Sequence, residues 1–304
     1  MNKLLVLPEN EDILKFINTQ SSKSDNDSDN KIRENIITNM NYIDDDYFND
    51  DIYGEKWFQL KEKFNESMKI ICPTYVHYKI QHKAGRTHNY DYEITFLDEK
   101  QQELKKIKLE FKYNASTVDE APQFVSPMKP SQYLESSFEE YYYENYLGSL
   151  FNKFDLEIPE KSIYLKTIHS NTPTCVLSAQ QLYYQGSKQS SKYTGDATAV
   201  AFYNEANLVS KKCIKEFIEN NDLNIDDLSE YLLKSQKEKI YLLYKNNSFF
   251  IQSSNNEDDF IIESYVKNPD KFRYEAITKS DRTLNILLRW KNGNGIAYPA
   301  FQIS

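Results

Sequence analysis

From Tyr75 the chain alternates apolar and polar residues through YVHYKIQHK, YDYEITFL and LKKIKLEFKYN, with the polar breaks AGRTHN and DEKQQ between them. A period of two is what a strand with one buried face requires, so three such runs joined by short loops predict an antiparallel meander. Ahead of it Trp57, Leu60, Phe64 and Met68 recur at helical spacing and predict a helix from Glu55 to about Met68. Residues 1–20 suit a short helix or strand. Residues 21–51 are polar and acidic, which predicts a linker or loosely ordered arm.

Beyond the meander comes a Pro-punctuated stretch, APQFVSPMKPS, and then an aromatic helix candidate, SSFEEYYYENYLGSLF. IYLKTI reads as a strand, LSAQQLYY as a helix and QGSKQSSKYTG as a loop, with further helices over 205–220 and 225–235. The end is β again: IYLLYKNNSFFIQS predicts a hairpin turning at Asn246-Asn247, and TLNILLRWKNGNGIAYPAFQI a second turning within NGNG. The expected class is α/β (α+β), a central mixed β-sheet flanked by helices with added C-terminal β-hairpins. The expected division is an N-terminal acidic arm or linker over 1–54, a core over 55–204, and helices plus hairpins over 205–304.

The length of 304 residues, 39% hydrophobic and 27% charged, suits a soluble globular protein with a sizeable core. No run is long enough to cross a bilayer, and the opening MNKLLVLPENEDILKF is unlike a secretory signal, so an intracellular, cytoplasmic protein without a membrane partner is expected. Cys72, Cys175 and Cys213 are too scattered for a disulfide framework or a zinc site, and His77 and His82 fall on opposite faces of their strand. A net charge of −9 argues against a protein that coats nucleic acid nonspecifically, yet it permits metal-binding carboxylates beside a local basic groove.

Within the meander, alternation sends Ile107, Leu109 and Phe111 to one face and Lys108, Glu110 and Lys112 to the other. On the preceding strand Tyr92, Ile94 and Phe96 take the apolar face, so Asp91, Glu93 and Thr95 share the side of Glu110. Two carboxylates from neighbouring strands suit Mg²⁺, with Mn²⁺ as an alternative, because this ion keeps much of its water and accepts one or two side-chain oxygens. A lysine alongside can position the attacking water or stabilise a charged transition state. The bland reading of Lys108, Glu110 and Lys112 is a salt-bridged exposed face.

Asp91, a spacer of eighteen residues and Glu110-Phe111-Lys112 in a strand resemble the motif of the PD-(D/E)XK nuclease superfamily, the restriction-endonuclease-like fold. The resemblance covers about Glu55 to Leu150. It implies that Asp91 and Glu110 bind metal, that Lys112 serves catalysis, and that an acid on a preceding helix, Glu62 or Glu66, assists. Asn89-Tyr90 stands where the family often has a proline before its Asp, and Gln180 and Tyr184 have a Gln-x-x-x-Tyr spacing found in some exonuclease branches but far from Lys112. Candidate nucleic-acid contacts are Lys79, Lys83 and Arg86 beside Asp91, Asn114 and Gln123 after Lys112, and Arg289 and Lys291 near the last turn. Trp290 between them could stack on a base or belong to the core. The implied activity is Mg²⁺-dependent phosphodiester hydrolysis by a restriction-type DNA endonuclease, commonly a homodimer. The rival expectations are a nuclease processing RNA or free DNA ends, and a non-catalytic interaction or structural protein with a nuclease-like fold.

Overall fold

The structure, a computed structural model, describes residues 6–17, 26–83, 88–120, 129–237, 239–253, 256–291 and 293–304. It divides into two compact units, Met1–Pro122 with Ser235–Asn255 and Gln123–Lys234 with Asn256–Ser304.

The first unit contains helices α1 (Ile13–Ile17), α2 (Asn26–Thr38), α3 (Asp45–Phe48) and α4 (Gly54–Ile71) and strands β1 (His77–His82), β2 (Tyr92–Leu97), β3 (Glu103–Tyr113), β4 (Lys239–Lys245) and β5 (Ser248–Ser253). The strands form one mixed sheet in the order β1-β2-β3-β4-β5. All neighbours are antiparallel except β3 and β4, which run parallel. Alternation works as expected: Tyr92, Ile94, Phe96, Leu109 and Phe111 are buried in one cluster with Trp57, Leu60, Phe64 and Met68 of α4. The β4–β5 hairpin turns at Asn246 and Asn247, whose φ values of 51° and 57° are those a tight two-residue turn demands and asparagine tolerates.

Within the polar segment 21–51, the described residues 26–51 are not a loosely ordered arm. Its stretch from Asn26 to Thr38 is helical, and Ile36, Ile37, Met40, Ile43 and Tyr47 are buried in the cluster that lines the sheet. The apolar residues are few, but their spacing puts them on one face, and burial follows the face and not the average polarity. Arg33 is fully buried on the same helix, its guanidinium 3.6 Å from the centre of the Tyr113 ring and donating hydrogen bonds to the Lys15 carbonyl (2.7 Å) and Asn30 Oδ1 (2.8 Å). Helix α2 and the turns that follow it to Tyr47 are therefore a wall of the core.

The second unit contains α5 (Phe138–Tyr142), which passes through one π-helical turn (Tyr143–Leu147) into α6 (Gly148–Lys153), then α7 (Lys161–Thr167), α8 (Leu177–Gly186), α9 (Ala197–Asn220) and α10 (Ile225–Gln236), whose last two residues, Ser235 and Gln236, already belong to the first unit. An antiparallel sheet follows in the order β6 (Ile262–Asn268), β7 (Arg273–Thr278), β8 (Thr283–Trp290) and β9 (Pro299–Ile303). The run IYLKTI, expected as a strand, forms α7: Tyr164 and Ile168 are fully buried four residues apart while Ile163 is exposed, a helical and not an alternating pattern. The pair β6–β7 has no counterpart in the sequence reading. Among the described residues no helix is long and apolar enough to cross a membrane.

Candidate active site

The β2–β3 register pairs Tyr92 with Leu109, and the Asp91 N–H donates to the Leu109 carbonyl at 3.0 Å. One step along this register sets Asp91 opposite Glu110. The Asp91 carboxylate turns back on β3, where its Oδ2 accepts the Phe111 N–H at 2.9 Å. The loop before it is tied down as well, since the Asn89 side-chain amide donates to the Ser235 carbonyl. On β3, Lys112 donates to Glu110 Oε1 at 2.5 Å, as side chains two residues apart on one face allow.

The parallel strand β4 adds a residue that alternation within the meander could not supply. Lys108 pairs with Lys239 and Glu110 with Tyr241, so the Lys239 side chain comes up on the face of Glu110. Its Nζ lies 3.1 Å from Glu110 Oε2, with the side chain only 2% exposed. Tyr241 is held at its other end by a hydrogen bond from its hydroxyl to Gln236 Oε1 (2.5 Å).

These groups perturb one another. The Asp91 carboxyl is pushed up from 3.8 to about 6, first by burial and then by the Glu110 charge, with Lys112 and the Phe111 amide pulling the other way. Glu34 on α2 also raises it. Burial lowers the Lys239 ammonium, against the pull of Glu110. Glu34 is in turn 3.5 Å from His82 Nε2.

The expected helical acids are elsewhere. Glu62 and Glu66 are exposed on α4, and α4 packs on the apolar face of the sheet through Phe64 against Tyr78 and Phe249, the face opposite Glu110. The helical acid electrostatically coupled to Asp91 is Glu34, inside the segment whose polarity disguised it. Lys239 was missed for a different reason: Lys239, Tyr241 and Leu243 alternate visibly in sequence, but nothing local says that this strand lies beside β3. Among the described residues no three His, Cys, Asp or Glu side chains are grouped to hold a metal ion.

The other candidates divide. Lys79 is exposed on β1, paired in register with Thr95 and hence on the face of Glu93 and Glu110. Lys83, just past β1, is 3.7 Å from Glu93, as is Lys106. Arg86 and Gln123 lie outside the described residues. Asn114 is an exposed turn former after β3 with φ 59°. Arg289 and Trp290, at the end of β8, and Lys291 just after them belong to the second unit. There Arg289 donates to Gln302 and its guanidinium is lowered by burial, while Trp290 packs against Phe138 and Tyr142 as a core residue. Gln180 and Tyr184 lie on α8 in that unit.

No protein-family model matches this sequence, and no curated protein matches it.

Proposed function

We propose that the first unit carries a metal-dependent nuclease site in which Asp91 and Glu110 hold Mg²⁺ or Mn²⁺ and Lys112 serves the hydrolysis of a phosphodiester. The observation that carries this reading is the meeting of a half-buried, hard-to-ionise Asp91 with Glu110 and Lys112 at one end of one sheet face. A carboxyl raised to about 6, first by desolvation and then by a second carboxylate, is the kind of perturbed group that functional sites gather. The donor set also fits: Asp91 spends Oδ2 on the Phe111 amide, and Mg²⁺ needs only one or two carboxylates because it retains waters. The resemblance of Asp91 and Glu110-Phe111-Lys112 to the PD-(D/E)XK motif points the same way.

A bound ion would supply a water of lowered pKa and neutralise charge on the scissile phosphate. The rest falls to the chain. Lys112, partly exposed, reaches the open side of Glu110, where an ammonium can orient the attacking water or stabilise charge on the phosphoryl oxygens. Across the same face of the meander Lys79, Lys83, Lys106, Lys108 and Lys112 outnumber Asp91, Glu93 and Glu110. A locally basic face on a chain of net charge −9 is what phosphate contact asks for. DNA is the favoured substrate, cut by a restriction-type endonuclease acting as a homodimer; RNA or free DNA ends are the alternative substrates.

One feature favours the rival, a non-catalytic protein of nuclease-like fold: both Glu110 oxygens are met by lysines, which makes a complete ion-pair cluster without any metal. Purified protein incubated with circular DNA, linear DNA and RNA under Mg²⁺, Mn²⁺ or EDTA separates the readings. Metal-dependent cleavage that is lost in Asp91→Asn and Lys112→Ala, with both variants folded, is the expected result. Wild-type protein that neither binds a divalent ion nor cuts any of the three substrates leaves only the non-catalytic reading.

A further inference from the structure

Glu110 is met by ammonium groups on both sides, Lys112 on Oε1 at 2.5 Å and Lys239 on Oε2 at 3.1 Å. The two lysines are not equivalent. The Lys112 side chain is 22% exposed and can swing into solvent, whereas Lys239 is 2% exposed and has no aqueous position to move to. It is held by the backbone pairing of β4 to β3 and by the nearby Tyr241 ring, whose centre is 5.2 Å from its Nζ. A divalent ion arriving at Glu110 can displace Lys112 but must coexist with Lys239.

We propose that Lys239 is a resident countercation of the Asp91–Glu110 pair, which opposes the divalent ion at these same carboxylates and thereby sets how tightly it binds. Without the ion, Lys239 and Lys112 together compensate the two acids and let them stay close in a partly buried place. With the ion, the buried ammonium becomes a like charge that cannot retreat, so affinity is held down and the ion is exchangeable. Lys239 is thus a positioning and tuning residue; Lys112 is the one free to turn toward a substrate. The inference rests on the metal reading above, and its test separates the two.

The test uses the full chain as wild type, Lys239→Met, Lys239→Gln and Lys239→Arg. Each is titrated with Mg²⁺ and Mn²⁺ by calorimetry, with thermal unfolding in EDTA and in excess ion. The two neutral variants should bind the ion at least about tenfold more tightly, since unit and divalent charges a few ångströms apart repel by that much even in a water-like dielectric. They should also gain more thermal stability from the ion than wild type does, and Lys239→Arg should behave as wild type. A purely structural lysine would lower the unfolding temperature of the neutral variants and leave ion affinity unchanged or weaker, which overturns the proposal. If a neutral variant is unfolded in EDTA, recovery of its fold on adding Mn²⁺ supports the proposal, and failure to fold with the ion present overturns it. Absence of ion binding in all four proteins sinks the metal reading itself, whereas wild-type binding matched by both neutral variants sinks only the role of Lys239.

Discussion

Asp91→Asn should stabilise the metal-free protein near neutral pH and have no such effect in acid. The native carboxyl takes its proton at about 6 in place of 3.8, so between these values the folded state binds more protons than the unfolded chain. Stability then falls as pH rises through the window, and above it the ionised carboxylate is fully unfavourable. At about 1.4 kcal/mol per pH unit, the interval amounts to about 3 kcal/mol. Asparagine removes the charge and keeps an oxygen for the Phe111 N–H, so most of this should reappear as added stability. Urea unfolding in EDTA from pH 4 to pH 8, following the transition of the first unit, measures it: the two proteins should coincide near pH 4 and differ by about 3 kcal/mol above pH 7. Excess Mg²⁺ should then stabilise wild type alone, by about 2.7 kcal/mol at about a hundred times its dissociation constant, and nearly close the gap. A gap that does not vary with pH, or a variant less stable than wild type at pH 8, would refute the account of Asp91 as a half-buried acid crowded by Glu110.

Two further outcomes test neighbouring parts of the argument. Glu34→Gln should lower the pH at which Asp91 titrates, because it removes one of the negative charges that raise it; a carboxyl-carbon NMR titration reads this directly, and an unchanged midpoint would remove Glu34 from the site. Ile37→Ala, on the helix inside the acidic segment, should cost about 2–5 kcal/mol in chemical denaturation, as a fully buried isoleucine does; a loss under half a kcal/mol, the range of surface substitutions, would restore the segment to the status of an arm.

The period-two runs were enough to read which side chains share a face, because alternation is a property of the strand backbone and needs no partner. Asp91, Glu110 and Lys112 could be grouped on that ground, and the short loops made β2 and β3 neighbours. The helix over Trp57 to Met68 and the turn at Asn246-Asn247 were legible for the same local reasons. Where local pattern and composition disagreed, composition misled: α2 and its buried Ile36 and Ile37 were hidden by the acids and asparagines around them, and IYLKTI carried β-branched residues into a helix whose buried face is set by Tyr164 and Ile168.

Tertiary structure alone decided which remote elements complete the site. Lys239 reaches Glu110 because β4, more than a hundred residues further along the chain, pairs in parallel with β3. No short-range signal specifies a parallel neighbour, since no tight turn joins the two strands and fixes their register. Likewise the coupling of Glu34 to Asp91, with Glu62 and Glu66 left exposed, depends on how the two helices α2 and α4 are laid against the apolar face they both cover. Alternation states which way a side chain points; only the assembled sheet and its covering helices determine what it meets there.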